Sequence, residues 1–442
     1  ILFIIGIFSF IFPNNKVEAY TQEEYTQKLN ESVAYAMSLL DDNMTDHEKA
    51  FILAQYCQEG NVYLSNSKDQ YAEGVLVDHK AVCAGYAQAF RLLCTTAGLP
   101  CENIISPKAN HEFNICYLDG EWSYVDITRG MSGSYDPEGF SGQVFEYKDQ
   151  IDNPVIAKKP DGSTIYTTAA FAKENGWEIV ESTKFSNAGY RYEGLNNNYF
   201  PEGVDRSSEF NFTSNFSRIY YDENYKYYEQ RELNSSHSYI YKENRNTGER
   251  TTLVEAFTYD YSMSGMVKDN NKIYYIGTDG KTIYSMDLNG NNQTKEFTYT
   301  GTDQVISGIF VQDGYINYVL RKAETSTESE WVKWRKLDTA VSTGTYTLND
   351  SEHQYKLNYI QTSKGIVISS CEGIGENEPF GDLYIPDKIN GLPVVGIGNE
   401  AFEDLSLTGE LTLPSELEYI GTNAFNDTDI TKIKFGSKIK SI

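Results

Sequence analysis

The C-terminal part of the chain repeats itself at a fixed interval, and this repeat restricts the possible folds more than any other feature. IGNEAF (397–402) returns as IGTNAF (420–425) after 23 positions, and LTLP (411–414) is echoed by IKF (433–435) after 22. A short period of alternating apolar residues with a Gly/Asn corner is typical of a solenoid, in which each turn buries its apolar face on the next. The sequence therefore predicts a solenoid here, and we expect further repeats to follow Ile442.

Residues 185–348 are rich in Tyr, Asn and Thr and contain short apolar and aromatic strands. Ile240 and Ile283 are separated by 43 positions, and so are Ile273 and Ile316. This interval is typical of a β-propeller blade, which has about 40–50 residues. The segment NNKIYYIGTDGKTIYSMDLNGNNQTK resembles the repeats of six-bladed propellers of the low-density-lipoprotein-receptor kind. We therefore expect all-β, propeller-like repeats. About three units are visible, so either further blades lie in 150–217 or the region is an open β-meander.

Helix signals are clear between residue 20 and about residue 100. Thr45 and Glu48 form a capping box in front of an amphipathic helix. A second helix is predicted for AVCAGYAQAFRLLCTTAG (81–98), because its apolar residues recur at helical spacing and it ends at a glycine, Gly98.

Two short strands follow these helices. HEFNICYL (111–118) and WSYVDI (122–127) show strand-like alternation and are joined by Asp119-Gly120. An Asp-Gly pair between alternating runs is a strong hairpin signal. We therefore expect helices packed beside an antiparallel sheet in residues 20–184.

The first 19 residues have the features of a partial secretory signal peptide. ILFIIGIFSFIF (1–12) is an apolar run, and the small-residue end at Ala19 predicts cleavage there. Since a membrane-spanning helix needs about 20 apolar residues, we expect no membrane span. No Met or basic stretch precedes the run, so we expect the start of the protein to be missing. A secreted or cell-surface location follows from this leader.

Charge and cysteine content exclude several classes of function. The formal net charge of −26 argues against nucleic acid as a partner, because a polyanion would be repelled. Six cysteines are too few for a disulfide framework. Cys57 and Cys94 are predicted to be buried thiols, whereas Cys101 and Cys116 could pair. The sequence has neither zinc-ligand spacing nor a D-x-D-x-D-G loop, so we expect no metal and no cofactor.

Cys83, His111 and Asp126 are the candidate catalytic residues. Cys83 lies at the predicted start of a helix, where unpaired N–H groups and a charge of roughly +0.5 stabilise a thiolate. His111 follows 28 positions later and can take up a proton and return it to a leaving amine. Asp126 lies 15 positions further, on the partner strand of the hairpin, where it can orient the imidazole. The N–H of Cys83 could serve as one oxyanion donor, and Tyr71 or a neighbour as a second.

The sequence around these residues resembles the bacterial transglutaminase-like superfamily. KAVCAGYAQAFRLLCTTAGLP and NHEFNICYLDGEWSYVDIT follow its usual pattern of G-x-C-x-G-Y-A, then H-A-W-N, then D-G-x-W-x-x-V-D, over about residues 40–130. The resemblance implies a papain-like α+β domain that transfers acyl groups from amides through a thioester. It also implies that Cys83 is the nucleophile, His111 the general base and acid, and Asp126 the carboxylate that orients His111.

Three positions depart from the family pattern. Phe113 stands where Trp is usual, and Ala81 replaces a common Gly. ITRG (127–130) follows Asp126 where Thr-Trp-Asp-Asp is usual. We therefore expect the loop on the substrate side to differ.

The C-terminal repeat also resembles a known family. LYIPDKINGLPVVGIGNEAF (383–402) is similar to the BspA-type leucine-rich repeats of bacterial surface proteins. The chain is therefore predicted to contain several domains. These are a partial signal peptide (1–19), a transglutaminase-like domain (20–184), propeller-like repeats (185–348) and a truncated leucine-rich repeat solenoid (349–442).

The expected function is cysteine-dependent acyl transfer on protein or peptide amides, either cross-linking or hydrolysis. The repeats would hold the enzyme near host or cell-surface proteins or glycans. Two alternatives use the same sequence features. One is a non-catalytic surface adhesin or binding protein, and the other is a cysteine peptidase, which shares the triad and differs in its acceptor.

Overall fold

The computed structural model describes residues 20–63, 70–106, 111–128, 145–148, 154–160, 162, 164–168, 173, 176–182, 190–191, 209–211, 216–231, 237–257, 264–322, 329–349, 353–374 and 381–442. The predicted signal peptide at 1–19 lies outside these residues. They form a small N-terminal α/β domain followed by a long β-solenoid. Within these ranges, no helix is both long and apolar enough to cross a membrane.

The first two helices each begin at a threonine. Thr45 accepts a hydrogen bond from the backbone N–H of Glu48, and the Glu48 carboxylate accepts one from the N–H of Thr45. Thr21 and Glu24 repeat this arrangement. Each box satisfies N–H groups that the first turn leaves unpaired, and the box predicted at Thr45 is confirmed. The helices are α1 (Gln22–Ser38), α2 (Asp46–Gln58), α3 (Ala72–Leu76) and α4 (Cys83–Thr96).

Helix α4 is the central helix of the N-terminal core. Tyr86, Phe90 and Leu93 are fully buried on it. The chain leaves the helix at Gly98, whose φ of 81° lies in the left-handed region that favours glycine. The predicted helix and its end are therefore confirmed.

The described strands up to residue 211 form three separate sheets. They are β1 (Val62–Tyr63), β2 (Lys80–Ala81), β3 (Cys101–Ser106), β4 (His111–Leu118), β5 (Glu121–Asp126), β6 (Phe145–Lys148), β7 (Pro154–Lys158), β8 (Thr164–Thr168), β9 (Glu178–Ser182), β10 (Tyr190–Arg191) and β11 (Glu209–Asn211). The main sheet has the order β10-β3-β4-β5-β6-β11, while β1 pairs with β2 and β7 pairs with both β8 and β9.

The predicted hairpin forms the centre of the main sheet. Asp119 and Gly120 both have positive φ, 49° and 90°, as a two-residue type I′ turn requires. The resulting register pairs Asn114 with Val125 and places the first residue of β4 near the last residue of β5. The Asp-Gly hairpin signal is therefore confirmed.

Three antiparallel sheets follow. Their strands are β12 (Phe216–Tyr221), β13 (Tyr225–Arg231), β14 (His237–Asn244), β15 (Arg250–Phe257), β16 (Met266–Asp269), β17 (Lys272–Ile276), β18 (Thr282–Asp287), β19 (Thr294–Thr298), β20 (Gln304–Gln312), β21 (Tyr315–Lys322) and β22 (Ser329–Lys336). Strands β12–β15, β16–β19 and β20–β22 each form one sheet, in which every strand pairs with its neighbour in sequence. The interval of 43 residues corresponds to the step from one sheet to the next. Ile240 lies on the third strand of the first sheet, and Ile283 lies on the third strand of the second.

The propeller predicted for residues 185–348 is nevertheless wrong. The β-structure runs on as a solenoid instead of closing into a ring. Strands β12 and β15 contact β16 and β17 of the next sheet, which in turn contact β20. A closed propeller needs about four blades or more. The repeat interval gives the size of one unit. Whether units close into a ring depends on the angle between neighbouring sheets, which is set by tertiary packing and not by a local pattern.

The C-terminal strands build the solenoid that the sequence repeat predicts. They are β23 (Ser342–Asn349), β24 (Gln354–Gln361), β25 (Ile366–Gly373), β26 (Gly381–Asp382), β27 (Lys388–Ile389), β28 (Leu392–Ile397), β29 (Leu407–Thr412), β30 (Tyr419–Ile420) and β31 (Asp429–Lys434). Ile397 pairs with Ile420 in parallel, and the rings of Phe402 and Phe425 stack at 5.2 Å. Equivalent residues of successive turns therefore lie on top of one another.

The solenoid packs against the N-terminal domain. The buried Asn30 side chain of α1 donates to the carbonyl oxygen of Asn399 (3.1 Å) and accepts from its backbone N–H (2.8 Å). At the C-terminal end of α4, Ser441 Oγ donates to the carbonyl oxygen of Thr96 (2.8 Å). This contact lies at the end of α4 opposite Cys83, about 20 Å away along a helix of this length.

Candidate active site

Cys83 is the first residue of α4, and the preceding Val82 offers no side-chain cap. The thiol therefore lies beside N–H groups of the first turn, where the helix dipole favours a negative charge. Cys83 is partly exposed, whereas the other five cysteines are buried. This position makes Cys83 the thiol best placed to react with a molecule from solvent.

The hairpin brings His111 and Asp126 together. Nε2 of His111 lies 2.8 Å from Oδ2 of Asp126, which is 1% exposed. The other carboxylate oxygen, Oδ1, accepts hydrogen bonds from the backbone N–H (3.0 Å) and the hydroxyl (2.9 Å) of Thr128. Thr128 was not singled out from the sequence, although a Thr two residues after an Asp often makes such local bonds.

These contacts favour the charged forms of both side chains. Burial raises the pKa of the Asp126 carboxyl, but the hydrogen bond and charge of His111 and the donors of Thr128 lower it below its usual value. Burial lowers the pKa of His111, but Asp126 and Cys83 outweigh this effect and raise it to about 10. His111 is therefore an imidazolium at neutral pH.

The thiol of Cys83 interacts with the same imidazole through a side-chain hydrogen bond. Burial raises the pKa of Cys83, but a side-chain hydrogen bond and the charge of His111, with the backbone N–H of Glu112 and Tyr63, bring it below its usual value. Because Asp126 holds Nε2, Nδ1 is the ring nitrogen left to exchange a proton with the sulfur. The geometry thus supports a thiolate–imidazolium pair steadied by a carboxylate.

Tyr63 is a residue of the site that the sequence did not reveal. It pairs with Ala81 across the short β1–β2 ladder, and its ring stacks on Tyr86 of α4 at 6.2 Å. Its hydroxyl interacts with both the sulfur and the backbone N–H of Cys83. Burial and the Cys83 sulfur raise the pKa of Tyr63 to about 12, so it is a neutral donor. The alternative guess, Tyr71, is 73% exposed.

Three further histidines contact polar or acidic side chains outside the triad. The ring of His79 contacts the amide oxygen of Asn61 (3.0 Å) and a carboxylate oxygen of Asp313 (3.1 Å). His47 contacts Asp119, and His237 contacts Glu255. Among the described residues, one group of three could offer metal ligands, namely Cys94, Cys101 and Cys116.

Two parts of the chain match known families. Residues 33–127 match the transglutaminase-like superfamily, and residues 380–442 match the BspA type leucine rich repeat region in 6 copies. The chain therefore contains a transglutaminase-like domain and a BspA-type repeat region. No match was found among curated proteins.

Solved structures give only weak similarities. A TGase is 17% identical, with 27% of this chain and 36% of that chain covered and a TM-score of 0.22. The tricorn protease is 14% identical, with 64% and 32% covered and a TM-score of 0.20. A prolyl endopeptidase is 11% identical, with 60% and 45% covered and a TM-score of 0.23. This chain thus spans less than half the length of each.

Proposed function

We propose that this protein is a cysteine-dependent acyltransferase that acts on glutamine side chains or other amides of proteins and peptides. The observation that carries the proposal is the interaction of the partly exposed Cys83 thiol with His111, whose Nε2 contacts the buried carboxylate of Asp126. The transglutaminase-like match over residues 33–127 supports the same class of chemistry.

The proposed reaction proceeds through a thioester. The Cys83 thiolate attacks the amide carbon, and the new C–S bond places a negative charge on the carbonyl oxygen. The N–H of Cys83 and the hydroxyl of Tyr63 are the donors that would stabilise this oxyanion. His111 then gives its proton to the leaving nitrogen, and ammonia or an amine departs.

The acceptor completes the reaction. A primary amine or a water molecule attacks the thioester carbon while His111 takes up its proton, and Cys83 leaves as a thiolate. An amine acceptor gives a cross-link, and water gives hydrolysis. Asp126 keeps Nδ1 of His111 directed at the sulfur throughout, because it holds the opposite ring nitrogen.

The repeats have a targeting role in this proposal. BspA-type repeats are typical of bacterial surface proteins, and in this protein they contact α1 through Asn399 and the far end of α4 through Ser441. We propose that the protein acts at the cell surface and that the repeats bring it to protein or glycan partners.

The test combines a glutamine-containing peptide, a primary alkylamine and mass spectrometry of the peptide. Amine incorporation with loss of ammonia identifies transamidation, conversion of Gln to Glu identifies hydrolysis, and backbone fragments identify a peptidase. Cys83→Ala should abolish every product, whereas Cys57→Ala, a buried thiol on α2, should retain them. If no product forms and iodoacetamide labels the cysteines without preference for Cys83, the catalytic proposal fails and a binding role replaces it.

A further inference from the structure

Three buried thiols converge in the core of the N-terminal domain. Cys94 lies on α4, Cys101 begins β3, and Cys116 lies near the end of β4. Their sulfur atoms all lie within 4.8 Å of one another. None of them takes part in the chemistry proposed for Cys83, so the cluster needs its own explanation.

Two of these thiols have the geometry of a cross-strand bond. Cys101 and Cys116 are directly opposite in the β3–β4 ladder. The backbone N–H of Tyr117 donates a hydrogen bond of 2.9 Å to the carbonyl oxygen of Pro100, so the neighbouring Pro100–Tyr117 pair is hydrogen-bonded. Because the two kinds of pair alternate along an antiparallel ladder, Cys101–Cys116 is a non-hydrogen-bonded pair. A non-hydrogen-bonded pair has Cα atoms about 4.5 Å apart, which lies within the range of about 4.4–6.8 Å that a disulfide spans.

We propose that Cys101 and Cys116 form a disulfide across β3 and β4, with Cys94 as a free thiol beside it. Their sulfur atoms are 3.1 Å apart, which favours this bond over either bond to Cys94. The bond would join the strands at the end away from His111, which pairs with Ser106 at the other end of the same ladder. It would therefore brace the strand that carries His111 without altering the triad.

Bond formation needs an oxidant, and a small disulfide such as oxidised glutathione is sufficient. Burial raises the pKa of Cys101, but hydrogen bonds from Cys116 and Cys94 and the charge of Arg91 lower it below its usual value. The Cys101 thiolate attacks the reagent, which releases one thiol and leaves a mixed disulfide. Cys116 then loses its proton and attacks the Cys101 sulfur, and the second reagent thiol leaves. Two cysteine thiols are thereby oxidised and one reagent disulfide is reduced.

Tryptic peptides distinguish the bonds. The full chain is incubated with oxidised glutathione, both folded and during refolding from urea, and free thiols are then blocked with N-ethylmaleimide in denaturant. Cleavage after Lys108 separates residues 92–108, which contain Cys94 and Cys101, from residues 109–129, which contain Cys116. We expect these two peptides to be linked, with the maleimide on Cys94. The proposal is overturned if Cys101 and Cys116 carry maleimide in the folded and in the refolded sample. It is also overturned if Cys94 takes part in the disulfide.

Variants and metal analysis complete the test. Cys94→Ala should keep the linkage and Cys116→Ala should lose it. Closing a loop of about 15 residues lowers the equilibrium constant for unfolding by roughly a hundredfold, so dithiothreitol should lower the denaturation midpoint of the oxidised protein and leave that of Cys116→Ala unchanged.

Three thiolates also suit a soft metal ion. A stoichiometric metal found by elemental analysis in the purified protein, and lost in Cys94→Ala, overturns the disulfide. Each outcome is independent of turnover at Cys83.

Discussion

The side chain of Asn114 donates a hydrogen bond of 3.0 Å to the carbonyl oxygen of Ala87. Asn114 lies on β4, three residues after His111, and Ala87 lies on α4, four residues after Cys83. The bond therefore joins the strand that carries the proposed base to the helix that carries the proposed nucleophile. Asn114 is fully buried, so its contacts exclude water.

Replacing Asn114 should disturb both stability and reactivity. Asn114→Ala leaves the carbonyl of Ala87 without this donor, and we expect a loss of about 1–3 kcal/mol in the free energy of unfolding, measured with urea. Alkylation of Cys83 should also slow, because the helix and strand lose their alignment. Gln88→Ala is the matched control, since its amide joins the same helix to the Glu112 carboxylate in a less buried place (3.1 Å). Equal effects of both variants would contradict a special role for Asn114.

The thiolate–imidazolium pair predicts a particular pH dependence. The pKa of Cys83 is lowered from 9.0, and that of His111 is raised to about 10. Both side chains are therefore charged at pH values that lie above the pKa of Cys83 and below that of His111. Turnover should rise as Cys83 ionises at a pH below 9 and fall as His111 loses its proton near pH 10. The rate of iodoacetamide labelling should show only the lower limb of this profile, the rise as Cys83 ionises, because labelling needs only the thiolate. A single limb centred near pH 9 in both assays would contradict the pair.

Asp126→Asn tests the carboxylate. The amide keeps the shape but removes the charge that helps raise the pKa of His111, so the upper limb of the turnover profile should move to lower pH. Turnover should fall by roughly 10²- to 10⁴-fold. Asp119→Asn, in the exposed hairpin turn, should leave the profile in place. An unchanged upper limb in Asp126→Asn would show that the carboxylate does not act through His111.

Tyr63→Phe tests the proposed second oxyanion donor. Phe retains the ring that stacks on Tyr86 but removes the hydroxyl that interacts with Cys83. Since that hydroxyl also lowers the pKa of Cys83, the lower limb of the labelling profile should move to higher pH. We expect kcat to fall by roughly 10²- to 10³-fold, the usual cost of one such donor, with a smaller change in KM. The control is Tyr71→Phe, because Tyr71 is exposed. A Tyr63→Phe variant with unaltered kcat excludes the role.

Docking of the solenoid on α1 gives a prediction about stability. Asn30→Ala removes both hydrogen bonds to the backbone of Asn399 in a buried contact, and we expect a loss of about 1–3 kcal/mol in the free energy of unfolding. Thr26→Ala removes the exposed bond from Thr26 to Glu400, and we expect an effect below about 0.5 kcal/mol. Thermal and urea denaturation check both. The docking contact is unimportant for stability if the two variants behave alike.

Much of the N-terminal domain could be predicted because its signals are local. A capping box at Thr45 joins residues three positions apart, and the turn at Asp119-Gly120 depends on the dihedral angles of two residues. The solenoid was equally clear, since each turn repeats the same contacts at a spacing of 22 or 23 residues. The motifs around Cys83, His111 and Asp126 identified the candidate triad for the same reason.

The sequence by itself determined helices α2 and α4, the hairpin and the repeat interval, because neighbouring residues encode them. Tertiary structure alone decided which distant residues meet. Tyr63 reaches Cys83 through a two-residue ladder, three cysteines from a helix and two strands share one space, and Asn30 meets Asn399 across 369 positions. It also decided that the 43-residue units continue as a row and do not close into a ring. Such contacts depend on how whole elements pack, and the free energy of that packing is spread over many residues and leaves no short pattern in the chain.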